Sequence, residues 1–442
     1  MTTFGRLVRP LPAQGLLTLS DQLIAYQPHH HALFLDQTVS DALGGEAWAV
    51  RRQAAFEAAH ALLTSLSIEL DLTSADEKLD LAGELFAALG HGKLTFEISA
   101  EGGVVHGDNL HHGTSFGEKY GGSIRNKKPM DAFAAGYCAA TATLAFPSDW
   151  GLFEAEEVSC VARRDDRCSF VLTRRPERVP FGAVVTRAAV ETMVLRAGAQ
   201  DPDELPAPPT PNRLSTAPTL YPEQGEAARI ELGVTKILSN LDSDDRGRVR
   251  AFGVNLALVP SSYSNQITFD TMHLVEKRTP ELFGVYSALA REASQSGAFH
   301  LLGGVLASSK WIADFGLPSR EIELRLQQLI GIARALGWGA LQVVDFAPRR
   351  QLVLKSSMTP ESAYYTIRHG STVRTRLVAL QGLALALVQL LHRVDFRAER
   401  PIVRDTYDGL FKSGARLHVE ETRSPLRGDA SCEVVVDVLA ER

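Results

Sequence analysis

The chain has 442 residues, a length typical of about two to four domains. Hydrophobic residues make up 45% and charged residues 22%, with a net charge of −6, which excludes a disordered chain and gives no reason to expect nucleic acid as a partner. Four cysteines in this length argue against a disulfide framework. Because the first residues also lack the apolar core of a signal peptide, we predict a cytoplasmic protein.

Residues 1–28 show little periodicity and are predicted to be an N-terminal extension. His29, His30 and His31 follow Pro28 directly. A histidine trio can bind metal, but a partly exposed turn is the more common outcome for such a tract.

Two helices and a hairpin are predicted next. The apolar spacing between Ala47 and Ser67 indicates a helix. Ser74 and Glu77 have the spacing of a capping box and begin another helix, which Gly90 ends. Apolar and polar residues then alternate over residues 94–99, and a glycine pair turns the chain back, which predicts an antiparallel hairpin.

A glycine-rich segment that contains Asp108, His111 and His112 follows the hairpin and is predicted to be a loop. Its side chains can cover a pocket or supply a metal ligand. Exposed loop histidines that do neither are the alternative.

The stretch from Pro129 to Phe170 is the centre of the sequence. A helix is predicted from Asp131 to Phe146, and four of its residues lie along one face. They are Phe133, Gly136, Tyr137 and Ala140. An aromatic pair beside a glycine makes a notched wall that suits a flat apolar ligand, with the tyrosine hydroxyl as one polar anchor. The alternative is that this face only packs against the helix around Leu85.

Two cysteines follow, Cys160 and Cys168, at the ends of two predicted strands and with seven residues between them. Thiolates in this arrangement can share one soft cation. Two free thiols packed as small apolar side chains are the alternative.

Residues 199–226 are rich in proline and predict a linker, which divides the chain nearly in half. An internal repeat spans this division. Residues 89–99 parallel 336–346, residues 134–146 parallel 380–392, and residues 159–172 parallel 423–436. We therefore predict an α+β fold of two tandem modules, residues 29–198 and 227–442, each with a helical layer and a small antiparallel sheet. The two copies are expected to pack as an internal pseudo-dimer.

At these residues the sequence resembles the 4-vinyl-reductase-type domain, which is similar in fold to subunits of TRAPP tethering complexes. The matching residues are Pro129, Phe133, Gly136, Tyr137, Glu156, Glu157, Cys160, Asp165, Cys168 and Phe170. The resemblance implies a module that binds apolar or aromatic small molecules. It also implies zinc in the first module, held by Asp131, Cys160, Cys168 and a glutamate, either Glu157 or Glu156.

The chain departs from this family pattern in two ways. Asp131 stands where the family often has a cysteine, and Arg164 stands in place of a turn glycine. In the second module the candidate metal positions are Leu377, Ser424 and Cys432, and a single thiol cannot hold a metal. The face of the second module that corresponds to the predicted ligand face has no aromatic residue and no polar tip, and it consists of Ala379, Gly382, Leu383 and Ala386. We therefore predict zinc and ligand in the first module only, with the second module a degenerate, structural copy.

The sequence contains no phosphate-binding loop, dinucleotide fingerprint, Gly-x-Ser-x-Gly elbow or His-Glu-x-x-His helix. We therefore predict a non-catalytic sensor or adaptor with no membrane span. One alternative is a TRAPP-like protein-interaction scaffold without ligand. The other is an enzyme of tetrapyrrole or aromatic metabolism, in which Asp108, His111, His112 and Tyr137 supply proton-transfer groups.

Overall fold

The computed structural model describes residues 8–11, 14–120, 128–148, 151–175, 186, 188–189, 224–397, 402, 404–412 and 416–439. Most of the predicted linker lies outside these ranges. Among the described residues, helices combine with three antiparallel sheets, which confirms the predicted α+β class. No described helix is both long enough and apolar enough to cross a membrane.

The first half begins with three strands and continues with helices and a second sheet. Its strands are β1 (Val8–Leu11), β2 (Leu16–Leu19), β3 (Gln22–Pro28), β4 (Lys93–Ser99), β5 (Gly102–Asp108), β6 (Leu152–Ser159) and β7 (Cys168–Arg175). Its helices are α1 (His29–Leu43), α2 (Ala47–Glu69), α3 (Ala75–Ala88), α4 (His111–Tyr120) and α5 (Ala132–Ala145). The predicted capping box of α3 is present, with Ser74 and Glu77 bonded to each other's backbone N–H groups.

The second half repeats this order with additional helices. Its strands are β8 (Val249–Ala251), β9 (Val254–Pro260), β10 (Leu341–Ala347), β11 (Gln351–Ser356), β12 (Leu417–Arg423) and β13 (Cys432–Val438). Its helices are α6 (Gln224–Ser239), α7 (Ser261–Arg278), α8 (Phe283–Ala307), α9 (Ser309–Phe315), α10 (Ile322–Ala335), α11 (Pro360–His369), α12 (Val378–Arg393) and α13 (Arg404–Lys412).

Each half has a four-stranded sheet of the same topology, β4-β5-β7-β6 in the first and β10-β11-β13-β12 in the second. A third sheet, β1-β2-β3-β9-β8, joins the halves because β3 pairs with β9. Helices also pack across the two halves, α1 on α8 and α2 on α7. The two halves thus associate about a pseudo-twofold axis at the β3–β9 pair.

The described part of residues 1–28 forms β1, β2 and β3 and is not an extension. Strands β2 and β3 are buried on both faces, so their apolar residues run continuously and show no alternation. The second pairing partner of β3, strand β9, also lies in the other half of the chain. The lack of alternation between apolar and polar residues in this segment therefore reflects its burial on both faces.

The repeat is also visible where the halves cross. Gly92 and Gly339 have φ values of 104° and 119°, a region that favours glycine. The N–H of Gly92 donates to the carbonyl of Gly247 and that of Gly339 to the carbonyl of Gly15, both at 2.8 Å. Each half thus makes the same hydrogen bond to the segment that precedes a strand of the other half, β8 in one case and β2 in the other.

The central helix of each half is positioned by a glycine. A Cβ at Gly136 of α5 would lie 2.4 Å from the carbonyl oxygen of Arg52, and one at Gly382 of α12 would lie 2.4 Å from that of Arg291. These contacts hold α5 against α2 and α12 against α8. They also confirm that residues 134–146 and 380–392 are equivalent, as the sequence repeat predicts.

Candidate functional site

Four predicted metal ligands lie together in the first half. Asp131 directly precedes α5, Glu157 lies in β6, and Cys160 and Cys168 flank the turn between β6 and β7. One donor atom of each lies within 4.8 Å of the others, and all four side chains are buried. The two thiols face the same oxygen, Oδ2 of Asp131, at 3.7 and 3.5 Å. Glu156 is directed elsewhere and pairs with Arg52, so of the two glutamates only Glu157 belongs to this cluster.

Backbone groups orient the two carboxylates. Oε2 of Glu157 accepts hydrogen bonds from the N–H groups of Met130, at 2.8 Å, and Asp131, at 3.1 Å. The N–H of Gly113 donates to Oδ1 of Asp131 at 3.1 Å. Oε1 of Glu157 is buried without a hydrogen-bond partner. One oxygen of each carboxylate is therefore fixed by the fold, and the other remains available to a cation.

The electrostatics of this cluster favour a cation. Burial raises the pKa of Asp131, and burial with the nearby charge of Asp131 raises the pKa of Glu157 to about 8. A hydrogen bond with Cys160, together with burial, raises the pKa of Cys168. Four acids in one dry space oppose each other's ionisation, and a divalent cation would remove that conflict. Two sulfur and two oxygen donors form a set that zinc accepts, so the residues fit this metal.

The equivalent positions of the second half keep the fold but lose the donors. Oε2 of Glu421 accepts from the N–H groups of Arg376, at 3.1 Å, and Leu377, at 2.9 Å, as Glu157 does in the first half. Leu377, Ser424 and Cys432 take the places of Asp131, Cys160 and Cys168, and all are fully buried. Oε1 of Glu421 is also without a partner, so this feature alone does not mark a metal site. Within the described ranges, a metal-compatible cluster forms in the first half only.

The predicted ligand face of α5 is occupied by protein. Phe133 and Tyr137 are 2% exposed and Ala140 is fully buried. The hydroxyl of Tyr137 donates to the carbonyl of Ala82 in α3 at 2.9 Å, and Gly136 contacts α2. This arrangement matches the close-packing alternative, since the proposed polar anchor is already satisfied by the backbone.

His111 and His112 lie at the start of α4 and are buried, whereas the sequence suggested an exposed loop. Nδ1 of His112 lies 2.8 Å from Oδ2 of Asp36, which also accepts from Arg51 at 2.7 Å. Glycine-rich composition concealed the helix, and the buried partners are distant in sequence. Asp108, at the end of β5, is exposed and lies apart from this cluster.

A cavity of about 120 Å³ with mostly apolar walls lies on the second-half side of the interface between the halves. Strand β3 and helix α1 of the first half close it against α7, α8, α11 and α12. Its apolar walls include Leu35, Ala290, Trp338, Ala379 and Leu383, and its polar residues include Gln27, His31, Ser261, Ser264 and Glu361.

Burial favours the neutral form of both ionisable side chains that line the cavity. Burial lowers the pKa of His31 to about 4. Burial raises the pKa of Glu361 to about 8, although two helix N–H groups of α12 bond to this carboxyl group. No other side chain among the cavity-lining residues is ionisable.

A space of only about 10 Å³ remains at the equivalent position of the first half. Three larger side chains stand at positions whose counterparts line the cavity of the second half. Phe133 stands in place of Ala379, Tyr263 in place of His31, and Arg51 in place of Ala290. The rings of Phe133 and Tyr263 meet edge to face, with centroids 4.9 Å apart. The same fold thus has a filled core in one half and a cavity in the other.

The sequence held one signal of this cavity. The face of α12 that corresponds to the predicted ligand face carries Ala379, Gly382, Leu383 and Ala386 and has no aromatic residue. The lack of an aromatic residue does not mean the lack of a binding site. Small side chains instead leave volume, and other helices supply the walls.

No protein-family model matches the chain, and no curated protein matches it in sequence. Among solved structures, the chain is similar to the phenol-responsive sensory domain of the transcription activator PoxR, crystallised with phenol. The match has a TM-score of 0.32 and 16% identity, and it covers 39% of this chain and 87% of that domain. A likeness this weak carries no argument about fold or function.

Proposed function

We propose that this protein is a non-catalytic sensor or adaptor that binds a small apolar or aromatic molecule in the cavity of its second half. The observation that carries this proposal is the cavity of about 120 Å³ at a position that the first half fills. Native interiors contain few voids larger than a water molecule. An engineered apolar cavity of about 150 Å³ binds benzene, so this space suits a ligand of one ring.

The lining supports an uncharged ligand with one polar group. Because burial favours the neutral forms of His31 and Glu361, the lining favours an uncharged ligand over an ionised one. The hydroxyl of Ser261 is buried, lines the cavity and has no hydrogen-bond partner. The indole N–H of Trp338 already donates to the carbonyl of Tyr26 at 3.1 Å, which fixes the ring as an apolar wall. An aromatic ring that carries a hydroxyl group can pack against the Trp338 ring and form a hydrogen bond with the Ser261 hydroxyl.

The proposed location differs from the sequence expectation, which placed the ligand against α5 in the first half. The support for the second half is steric: Ala379 leaves open the space that Phe133 fills in the first half. The resemblance to the 4-vinyl-reductase-type domain remains a proposal, and it agrees with a module that binds small molecules.

Titration calorimetry on the full chain tests the proposal, with phenol and toluene as one-ring probes. We expect phenol to bind the wild type more tightly than toluene, and Ala379→Phe to abolish binding because the added ring fills the cavity. Leu232→Phe is the matched control, since this side chain is 75% exposed. Equal binding by Ala379→Phe and the control would contradict the proposed site, as would the absence of binding by the wild type.

We further propose that Asp131, Glu157, Cys160 and Cys168 hold one zinc ion as a structural link between α5 and the β6–β7 turn. Four protein ligands leave no open position, so zinc here supplies folding energy and not reactivity. The fully buried donor set supports this role.

A further inference from the structure

The cavity of the second half and the small space of the first half are neighbours. Four residues line both of them, namely Gln27, His31, Leu35 and Ser264. These residues form the partition between the two spaces. Gln27 comes from β3 and Ser264 from α7, so the partition is built by both halves of the chain.

One hydrogen-bonded pair crosses this partition. The hydroxyl of Ser264 accepts from Nε2 of Gln27 at 2.8 Å and lies 3.0 Å from Oε1, to which it can donate. The backbone of Gln27 is held in the sheet opposite Ala257 of β9, and Ser264 is only 8% exposed. Both ends of the pair are therefore fixed by regular structure.

The polar pair is present on one side of the pseudo-twofold axis only. The equivalent residues are Val259 and Ala32, which line the small space but not the larger cavity. They are apolar and form no such bond through their side chains. The Gln27–Ser264 bond is thus a specific feature of the wall that bounds the larger cavity.

We infer that the Gln27–Ser264 pair sets the upper size limit of the ligand and restricts the cavity to molecules of one ring. This inference rests on the proposed function. Behind the pair lies the small space bordered by Tyr263 and Phe133, so truncation of Gln27 adds the volume of its own amide group to the cavity and opens the cavity towards that space.

Calorimetry with phenol and naphthol on the full chain tests this inference. We expect the wild type to bind phenol at least tenfold more tightly than naphthol. Gln27→Ala should bind naphthol at least tenfold more tightly than the wild type does, because the partition is open. Gln27→Leu keeps the volume without the hydrogen bond, and it should bind naphthol more tightly than the wild type but less tightly than Gln27→Ala, because the side chain that closes the partition is no longer fixed. Val259→Ala is the matched control, since it enlarges the small space and leaves the partition intact.

Thermal unfolding of each variant establishes that it is folded, and Gln27→Ser replaces Gln27→Ala as the opening variant should the latter not fold. An unchanged preference for phenol in a folded opening variant overturns the size limit while phenol binding stands. A gain of naphthol binding in Val259→Ala equal to that in Gln27→Ala also overturns it. Failure of the wild type and all variants to bind either probe overturns the proposed function, and the inference with it.

Discussion

The two halves of this chain follow the same path and differ in what occupies their cores. The first half carries four metal donors and a core filled by Phe133, Tyr263 and Arg51. The second half has Leu377 and Ser424 at two of the donor positions and a cavity of about 120 Å³ where those large side chains would lie. Both keep the glutamate that bonds the start of the central helix. The glutamate is thus part of the architecture that the two halves share, whereas the donors and the cavity each belong to one half.

The largest expected effect concerns the donors. Cys168→Ser should remove zinc and lower the free energy of unfolding of the zinc-loaded protein by about 5 kcal/mol or more, since metal binding is folding energy. Cys432→Ser, at the equivalent buried position, should cost only about 1 kcal/mol. Urea unfolding and metal analysis of both variants under reducing conditions measure the difference. Equal losses of stability with no zinc in the wild type would remove the distinction between the halves.

The next largest expected effect concerns stability changes at Phe133, in the filled core of the first half, and at Ala379, beside the cavity of the second half. Phe133→Ala should lower the free energy of unfolding by about 4 kcal/mol, because it creates a cavity in a packed region. Ala379→Phe, the reverse change at the equivalent position, should cost less than about 1 kcal/mol, because the space already exists. Urea unfolding measures both. A cost for Ala379→Phe as large as that of Phe133→Ala would show that the second half is also closely packed.

A third difference is pH dependence. Burial raises the pKa of Glu361 from 4.5 to about 8 in the folded protein, so the folded state holds a proton that the unfolded state releases. This group therefore lowers stability as pH rises from about 4.5 to about 8, by up to about 1.4 kcal/mol per pH unit. Glu361→Gln should reduce this slope and be more stable than the wild type near pH 8. The exposed Glu281→Gln is the control, and an equal slope in both variants counts against the buried carboxyl group.

The smallest effect concerns the turn between the last two strands. Arg164 has φ 68° and its counterpart Gly428 has φ 93°, so at this turn the first half places a side chain in the left-handed region and the second half does not. Arg164→Gly should raise the free energy of unfolding by about 0.5 to 1 kcal/mol, and Gly428→Arg should lower it by a similar amount. Thermal unfolding of both variants checks the signs. A loss of stability in Arg164→Gly would mean that contacts of the arginine outweigh the backbone strain.

Local patterns in the sequence predicted the features that depend on neighbouring residues. The capping box at Ser74, the β4–β5 hairpin and the spacing of Cys160 and Cys168 are such features, and the structure contains each of them. The repeat predicted the equivalence of Gly136 and Gly382. Each of these predictions requires only the sequence of one secondary-structure element or a comparison of the two copies of the repeat.

Features made by distant segments were not predictable in the same way. Strand β3 pairs with β9 of the other half. The sequence of each strand therefore gives no indication of its partner. The burial of His112 depends on Asp36, and the cavity depends on which large side chains the second half lacks. A cavity is a difference between volumes contributed by several elements, and no single stretch of sequence records it.

A crystal of the full chain soaked with para-bromophenol tests the proposed location of the ligand directly. The bromine gives an anomalous signal that places the ring without reference to the protein density. We expect one peak between Trp338, Leu383 and Ala379 in the second half. A peak beside Phe133 and Tyr137 in the first half, or no peak at the interface of the halves, would contradict the account.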